Sequence, residues 1–325
     1  LPTMRIFGGG TITLRNLNIR DGTRDPLTIT SAGIVYAGQG TLALANTTVA
    51  HNHGSGIDIN GAGGVALLDL LGGVAVSDNE ALGIMAQGQV RVRAHSANNE
   101  ISGNNGNGIV LSGASVIDFR SSGTVIQGNH GFGIHIQGSG FDPGRVSYID
   151  SVDPANPVVL ADNRYGAIYF VSDDTPTWMC TRNLRIDGNG AVGREAATVT
   201  VRGNARLEMN VPCGWATPMP VCAAGPERCN SVTGNFAGTG YSLFSALEGG
   251  AIVADRLWIE ANAVESIFAT NAGSDESNAS IVVTNVAAVN NPLRGVVAES
   301  RAGAHLQIRA STFVGESGGP SFRGA

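Results

Sequence analysis

A short phrase recurs along the chain, and no other feature limits the fold so tightly. An asparagine is followed by three variable residues, usually a small one, and then an aliphatic residue that opens an alternating stretch. The phrase runs from Asn52 to Ile57, Asn79 to Ile84, Asn104 to Ile109, Asn129 to Ile134, Asn163 to Ile168, Asn262 to Ile267 and Asn291 to Val296. The first four asparagines are spaced by 27, 25 and 25 residues, and the fifth follows after 34. Three residues before the asparagine stands Val49, Val76, Ile101, Ile126, Leu160 or Ile259, with Ala288 as the small seventh. A fixed period of this length marks a stacked repeat, in which each unit buries its apolar face only against its neighbours.

Each unit also holds short runs of period-two alternation bounded by glycine, such as Thr41-Leu42-Ala43-Leu44 and Val116-Ile117-Asp118-Phe119. Alternation with β-branched residues reads as strands. Three short strands per turn of about 25 residues describe an all-β chain, a single right-handed parallel β-helix. About eleven or twelve coils, stacked at roughly 4.8 Å, would span residues 1–325 as a rod of roughly 55 Å. An inward asparagine at each corner would bond to its equivalents above and below, and glycine would supply the positive φ of the corners. The expected ladder is Asn52, Asn79, Asn104, Asn129, Asn163, Asn262 and Asn291. The pattern lapses near 140–157 and 203–240, which are expected to be looped-out insertions.

Composition fits and excludes. Glycine numbers 46, charged residues make up 14%, and the net charge is −6. All 20 basic residues are arginine, so a lysine base, a Schiff base and a P-loop lysine are excluded. An acidic balance argues against nucleic acid, whose phosphates need clustered cations. With 42% hydrophobic residues the chain can bury a core. No run of apolar residues is long enough for a membrane span. Neither end shows a recognisable cap, leader or anchor, so a segment of a longer chain is expected.

The phrases from Gly8 to Gly22 (GGGTITLRNLNIRDG), Gly40 to Gly61 and Glu248 to Gly273 resemble right-handed parallel β-helix repeat proteins, of the polymorphic outer-membrane and adhesin type found among secreted bacterial proteins. The resemblance covers nearly the whole chain. It implies a secreted or bacterial cell-surface protein, and a scaffold that serves adhesins as well as carbohydrate enzymes. In the enzymes of this fold the substrate lies along an outward sheet face flanked by loops.

Two outward columns follow from the register. One reads Asp58, Met85, Val110, His135, Tyr169; the other Asn60, Gln87, Ser112, Gln137, Val171. Amide, imidazole and phenol groups suit sugar hydroxyls, so Asp58, Asn60, Gln87 and Gln137 are candidate ligand-binding residues. Aromatic platforms look scarce. If the chain is an enzyme, His135, Tyr169, Asp173, Asp174 and Arg202 are the candidate catalytic residues. Two adjacent carboxyls can raise one another's pKa and act as acid and base when both face a substrate. A turn or calcium-binding role for Asp173 and Asp174 is the alternative. Arg145 or Arg202 is a candidate base for an arginine-dependent lyase.

Gly140-Phe141-Asp142-Pro143 resembles part of the motif of mannuronan C-5 epimerases, but Ser139 and Gly144 stand where that family has its tyrosine and histidine. Register places His51 near Asp78 and His53 near Glu80, as ion pairs or a metal site; the expectation is no metal, with calcium the one cofactor kept open. Cys180, Cys213, Cys222 and Cys229 are expected to form disulfides in an exported chain. No CxxC pair supports a zinc site. The leading expectation is a non-catalytic extracellular rod that binds polysaccharide or surface glycan. The alternative is a polysaccharide lyase or glycoside hydrolase working in an outward groove.

Overall fold

A computed structural model describes residues 3–23, 31–61, 63–120, 123–138, 146–151, 153, 155–190, 196–211, 230–237, 241–271, 278–292, 297–301, 303–315 and 322–324. The described residues are all-β, without helix, and their strand pairings are parallel. They form a parallel β-solenoid. One coil runs through Ile57–Asn60, Ala66–Leu70 and Ala75–Ser77, and the next through Ile84–Gly88, Val90–Ala94 and Asn99–Ser102. The first two strands of each coil join one sheet of 21 strands, and the third strands stack into a sheet of 11.

The core follows from alternation. Inward side chains such as Ile57, Ile84, Ile109, Ile134 and Ile168 are fully buried in one continuous column, while their neighbours face outward. Farther along, that column carries Phe244 and Phe268, stacked at 5.6 Å between ring centroids.

The corner asparagines form an unbroken ladder. Asn52, Asn79, Asn104, Asn129, Asn163, Asn189, Asn235, Asn262 and Asn291 are all buried. Each Nδ2 donates to the Oδ1 of the next asparagine at 2.9–3.1 Å. The same Oδ1 also accepts the backbone N–H of the preceding asparagine. The second Nδ2 hydrogen reaches a carbonyl one coil back, as Asn104 does to Val76 and Asn129 to Ile101. These polar groups, buried and costly if left unpaired, are thereby satisfied.

Asn189 and Asn235 belong to this ladder although they lack the five-residue phrase. Register explains why. The strand position of Ile57 recurs at Ile168, Val199, Phe244, Phe268 and Ala298. From its asparagine that position is five residues on through Asn163, then ten for Asn189, nine for Asn235, six for Asn262 and seven for Asn291. The phrase as read from Asn262 to Ile267 and from Asn291 to Val296 is therefore out of register by one and two residues.

Glycine is also not the general corner residue. The residue before the ladder asparagine is left-handed in every coil from His51 to Asn290. His51, Asp78, Asp162, Ala261 and Asn290 fill that place at φ of 52–55°, and Gly103, Gly128, Gly188 and Gly234 fill it elsewhere. Asparagine, aspartate and histidine tolerate this region better than other side-chain residues, and buried neighbours hold the rest.

Parts of the stretches expected as insertions are strands. Val146–Asp150 is a strand, and so are Val199–Met209 and Asn230–Thr233. Residues 139–145, 212–229 and 238–240 lie outside the described residues.

Candidate functional site: an outward groove

The two outward columns have the expected order. Asp58, Met85, Val110, His135 and Tyr169 are in direct register, as are Asn60, Gln87, Ser112, Gln137 and Val171. The columns continue past Tyr169 to Thr200, Ser245, Ala269 and Glu299, and past Val171 to Arg202, Leu247, Asn271 and Arg301. Bulky residues at both ends and Thr200, Ser245 and Ala269 between them make a trough. A cleft of about 450 Å³ lies there. Four strand spacings separate Tyr169 from Glu299, about 19 Å along the axis.

The lengthened corners build the walls. Ala196 and Ala197, from the corner after Asn189, and Tyr241 and Ser242, from the corner after Asn235, line the cleft. Extra residues can enter there because the ladder and the strands fix the frame on either side.

One end of the cleft is aromatic. The Phe132 ring lies 5.9 Å from Tyr165 and 5.2 Å from Tyr169, between centroids. His135 meets the Tyr169 ring edge-on at 5.0 Å. The scarcity of aromatic platforms expected from the columns is thus corrected. Phe132 and Tyr165 precede the column positions and were hidden in the corners.

His135 is half-buried, and that burial lowers its pKa, which favours the neutral ring. Its Nδ1 lies 3.3 Å from Asn107 Nδ2. Arg202 extends across the strand, with Nε 2.5 Å from Glu248 Oε2, and it also donates to the Tyr169 hydroxyl. The bond to Glu248, then that to Tyr169, raises the arginine's pKa. Arg202 is thus ion-paired, and its charged form is favoured.

At the far end Glu299 is buried to 7% exposure, and Arg301 Nη2 donates to its Oε2 at 2.9 Å. These are the only charged residues of the cleft lining among the described residues.

The sequence matches no protein-family model and no curated protein. Among solved structures it is similar to the Streptococcus pneumoniae surface protein and adhesin PfbA, at 10% identity and a TM-score of 0.39, over 98% of this chain and 91% of that one. It is also similar to the mannuronan C-5 epimerase AlgE4 A-module of Azotobacter vinelandii, at 13% identity and a TM-score of 0.32, over 96% and 88%.

The other candidates stand apart from the cleft. Asp58, Asn60 and Gln87 lie on the columns at coils nearer the N-terminus, and Gln137 shares a strand with Phe132 but does not line the cleft. Burial raises the pKa of Asp58. Asp173 is exposed on an irregular stretch, where the register with the next strand shifts between Ser172 and Thr177. Ser172 Oγ donates to Thr175 O at 2.5 Å within this stretch, which is part of the strand Gly166–Arg182. The side chain of Asp174 lies outside the described residues, as do Asp142 and Arg145.

His53 Nδ1 lies 2.8 Å from Glu80 Oε1, both exposed. Among the described residues no group of three or more His, Cys, Asp or Glu side chains gathers as a metal site. Cys180 is buried in the strand Gly166–Arg182, and Cys213, Cys222 and Cys229 lie outside the described residues. Sequence reading missed Phe132, Tyr165, Tyr241, Glu299 and Arg301. The available signal for Glu299 and Arg301 was column continuity, which irregular corner lengths concealed.

Proposed function

We propose that this chain is a non-catalytic extracellular or cell-surface rod that binds a glycan in the groove between Phe132 and Arg301. The observation that carries the reading is the aromatic floor of Phe132, Tyr165 and Tyr169 at the head of a trough that also holds Thr200, Ser245 and Asn271. Ring faces give a sugar apolar contact, and a few placed polar groups fix its orientation. Only one carboxyl, Glu299, lines the cleft among the described residues, whereas glycoside hydrolysis generally works between two. That balance favours binding over hydrolysis.

A lyase reading draws on one further observation. His135, Tyr169 and Arg202 touch one another in sequence, with Arg202 donating to the tyrosine hydroxyl. A polysaccharide panel read for retention, unsaturated products and reducing ends separates the two. Retention without products, weakened at least tenfold in Tyr165→Ala, is the expected result. Unsaturated products that vanish in Tyr169→Phe or His135→Ala would establish the lyase reading in its place.

A further inference from the structure

We infer that the ligand of this groove is an uncharged glycan, a short stretch of neutral hexose or pentose units, rather than a polyuronate. The inference rests on the glycan-binding reading above and names its substrate class. Among the described residues, the arginines at the groove, Arg301 and Arg202, each have an anionic partner. Arg301 is bonded to Glu299 at 2.9 Å, and Arg202 to Glu248 at 2.5 Å and to Tyr169. His135, desolvated and edge-on to Tyr169, favours the neutral form. A polyuronate places one carboxylate on each sugar, and each needs a cation or a set of donors as it leaves water. At either arginine it would meet a cation whose charge is already shared with a carboxylate, so less of its own desolvation is offset.

The floor points the same way. Thr200, Ser245 and Ala269 occupy three successive coils in register, so the middle of the trough offers hydroxyls and small apolar surface. Such a floor lets a sugar ring approach closely and hydrogen-bond through its hydroxyls. The aromatic end then takes an apolar sugar face, which costs nothing in charge desolvation.

Isothermal titration tests this with the intact chain and two sets of tetrasaccharides. One set is neutral, from β-glucan, mannan, xylan and galactan; the other is anionic, from polygalacturonate, alginate and hyaluronate. The expected result is binding of a neutral member at least tenfold tighter than any anionic one. Its Kd should change less than twofold between 50 and 500 mM NaCl. Glu299→Gln, which leaves Arg301 without its partner, should gain affinity for the anionic set about tenfold, with a melting curve checking that the variant folds. Preference for an anionic member, with steep salt dependence and loss in Tyr165→Ala, would overturn the neutral class and leave the groove reading standing. No binding by any member of either set would overturn both.

Discussion

Asn107 decides which nitrogen of His135 carries the proton. The backbone N–H of Phe132 donates to Asn107 Oδ1 at 2.6 Å, and a backbone amide can only donate, so the oxygen of Asn107 must face Phe132. Its nitrogen then faces His135 Nδ1 at 3.3 Å. An amide nitrogen cannot accept, so Nδ1 accepts and the neutral ring bears its hydrogen on Nε2. His135 therefore offers a donor at Nε2. In Asn107→Asp the second carboxyl oxygen would replace that donor, draw the proton to Nδ1 and raise the imidazole pKa. Nitrogen NMR of the ring should show the Nε2–H tautomer in the parent chain and a shift toward Nδ1–H in the variant. An Nδ1–H signal in the parent chain would refute the assignment.

The same histidine sets a pH dependence of stability. Burial lowers its pKa below the ordinary 6.5, so on acidification the unfolded chain takes up the proton first. Stability from the buried neutral ring is complete above about pH 6.5 and is lost as pH falls from there through the folded value. Urea unfolding at pH 7.5 and at pH 5 should show a larger acid loss for the parent chain than for His135→Gln. Equal losses would count against a desolvated ring.

The ladder makes a graded prediction. Asn129→Ala removes the acceptor of both Asn104 Nδ2 and Asn104 N–H, and the donor to Ile101 O and Asn163 Oδ1. Leaving such groups buried and unpaired costs about 1–3 kcal/mol each, so a total loss above about 3 kcal/mol is expected. Asn129→Asp keeps the acceptor but loses both donors and buries a charge, and it should fare no better at neutral pH. Chemical denaturation measures both. A loss below about 1 kcal/mol in either would mean that the coils hold register without the ladder.

Two glycines at the same corner position should respond differently. Gly128 has φ 62° and room for a Cβ, with nothing nearer than 3.9 Å. Gly188 has φ 62°, but its Cβ would lie 2.5 Å from Asp162 Oδ1. Ala261 already holds this left-handed place. Gly128→Ala should therefore cost about 1–2 kcal/mol, the backbone penalty alone, and Gly188→Ala more. Asp162→Ala should recover the excess. Equal costs measured by thermal unfolding, with no recovery, would remove Asp162 from the account.

Cys180 stands on the outward side of its strand, in register between Tyr148 and Glu208, yet is only 4% exposed. A disulfide from Cys180 to one of the later cysteines is the proposal that fits an exported chain. Alkylation of the denatured, unreduced protein followed by peptide mass analysis should leave Cys180 unmodified until a reductant is added. Four alkylated cysteines before reduction would contradict it.

Much of the architecture was legible because its cause is local. Alternation places Ile134 inward and His135 outward whatever surrounds them, and a constant corner carries that reading from coil to coil as far as Tyr169. Beyond Asn163 the corners lengthen, so the frame is lost even though the strands beyond it stay regular. That is why Asn189 and Asn235 escaped notice, and why Glu299 was not seen to share a column with Tyr169. The groove itself depends on the relation between residues such as Phe132 and Tyr241, which are far apart in sequence. Only the stacking of coils brings them to one trough.

The ladder separates what must stay constant from what is free to vary. Asn163, Asn189, Asn235 and Asn262 remain one step apart although the corners that follow them differ by up to five residues in length. A keel of this kind lets a lineage lengthen, shorten or exchange the segments beside the groove without re-threading the hull. New recognition surfaces could arise by local edits to the wall, coil by coil, while the rest of the vessel goes on folding as before.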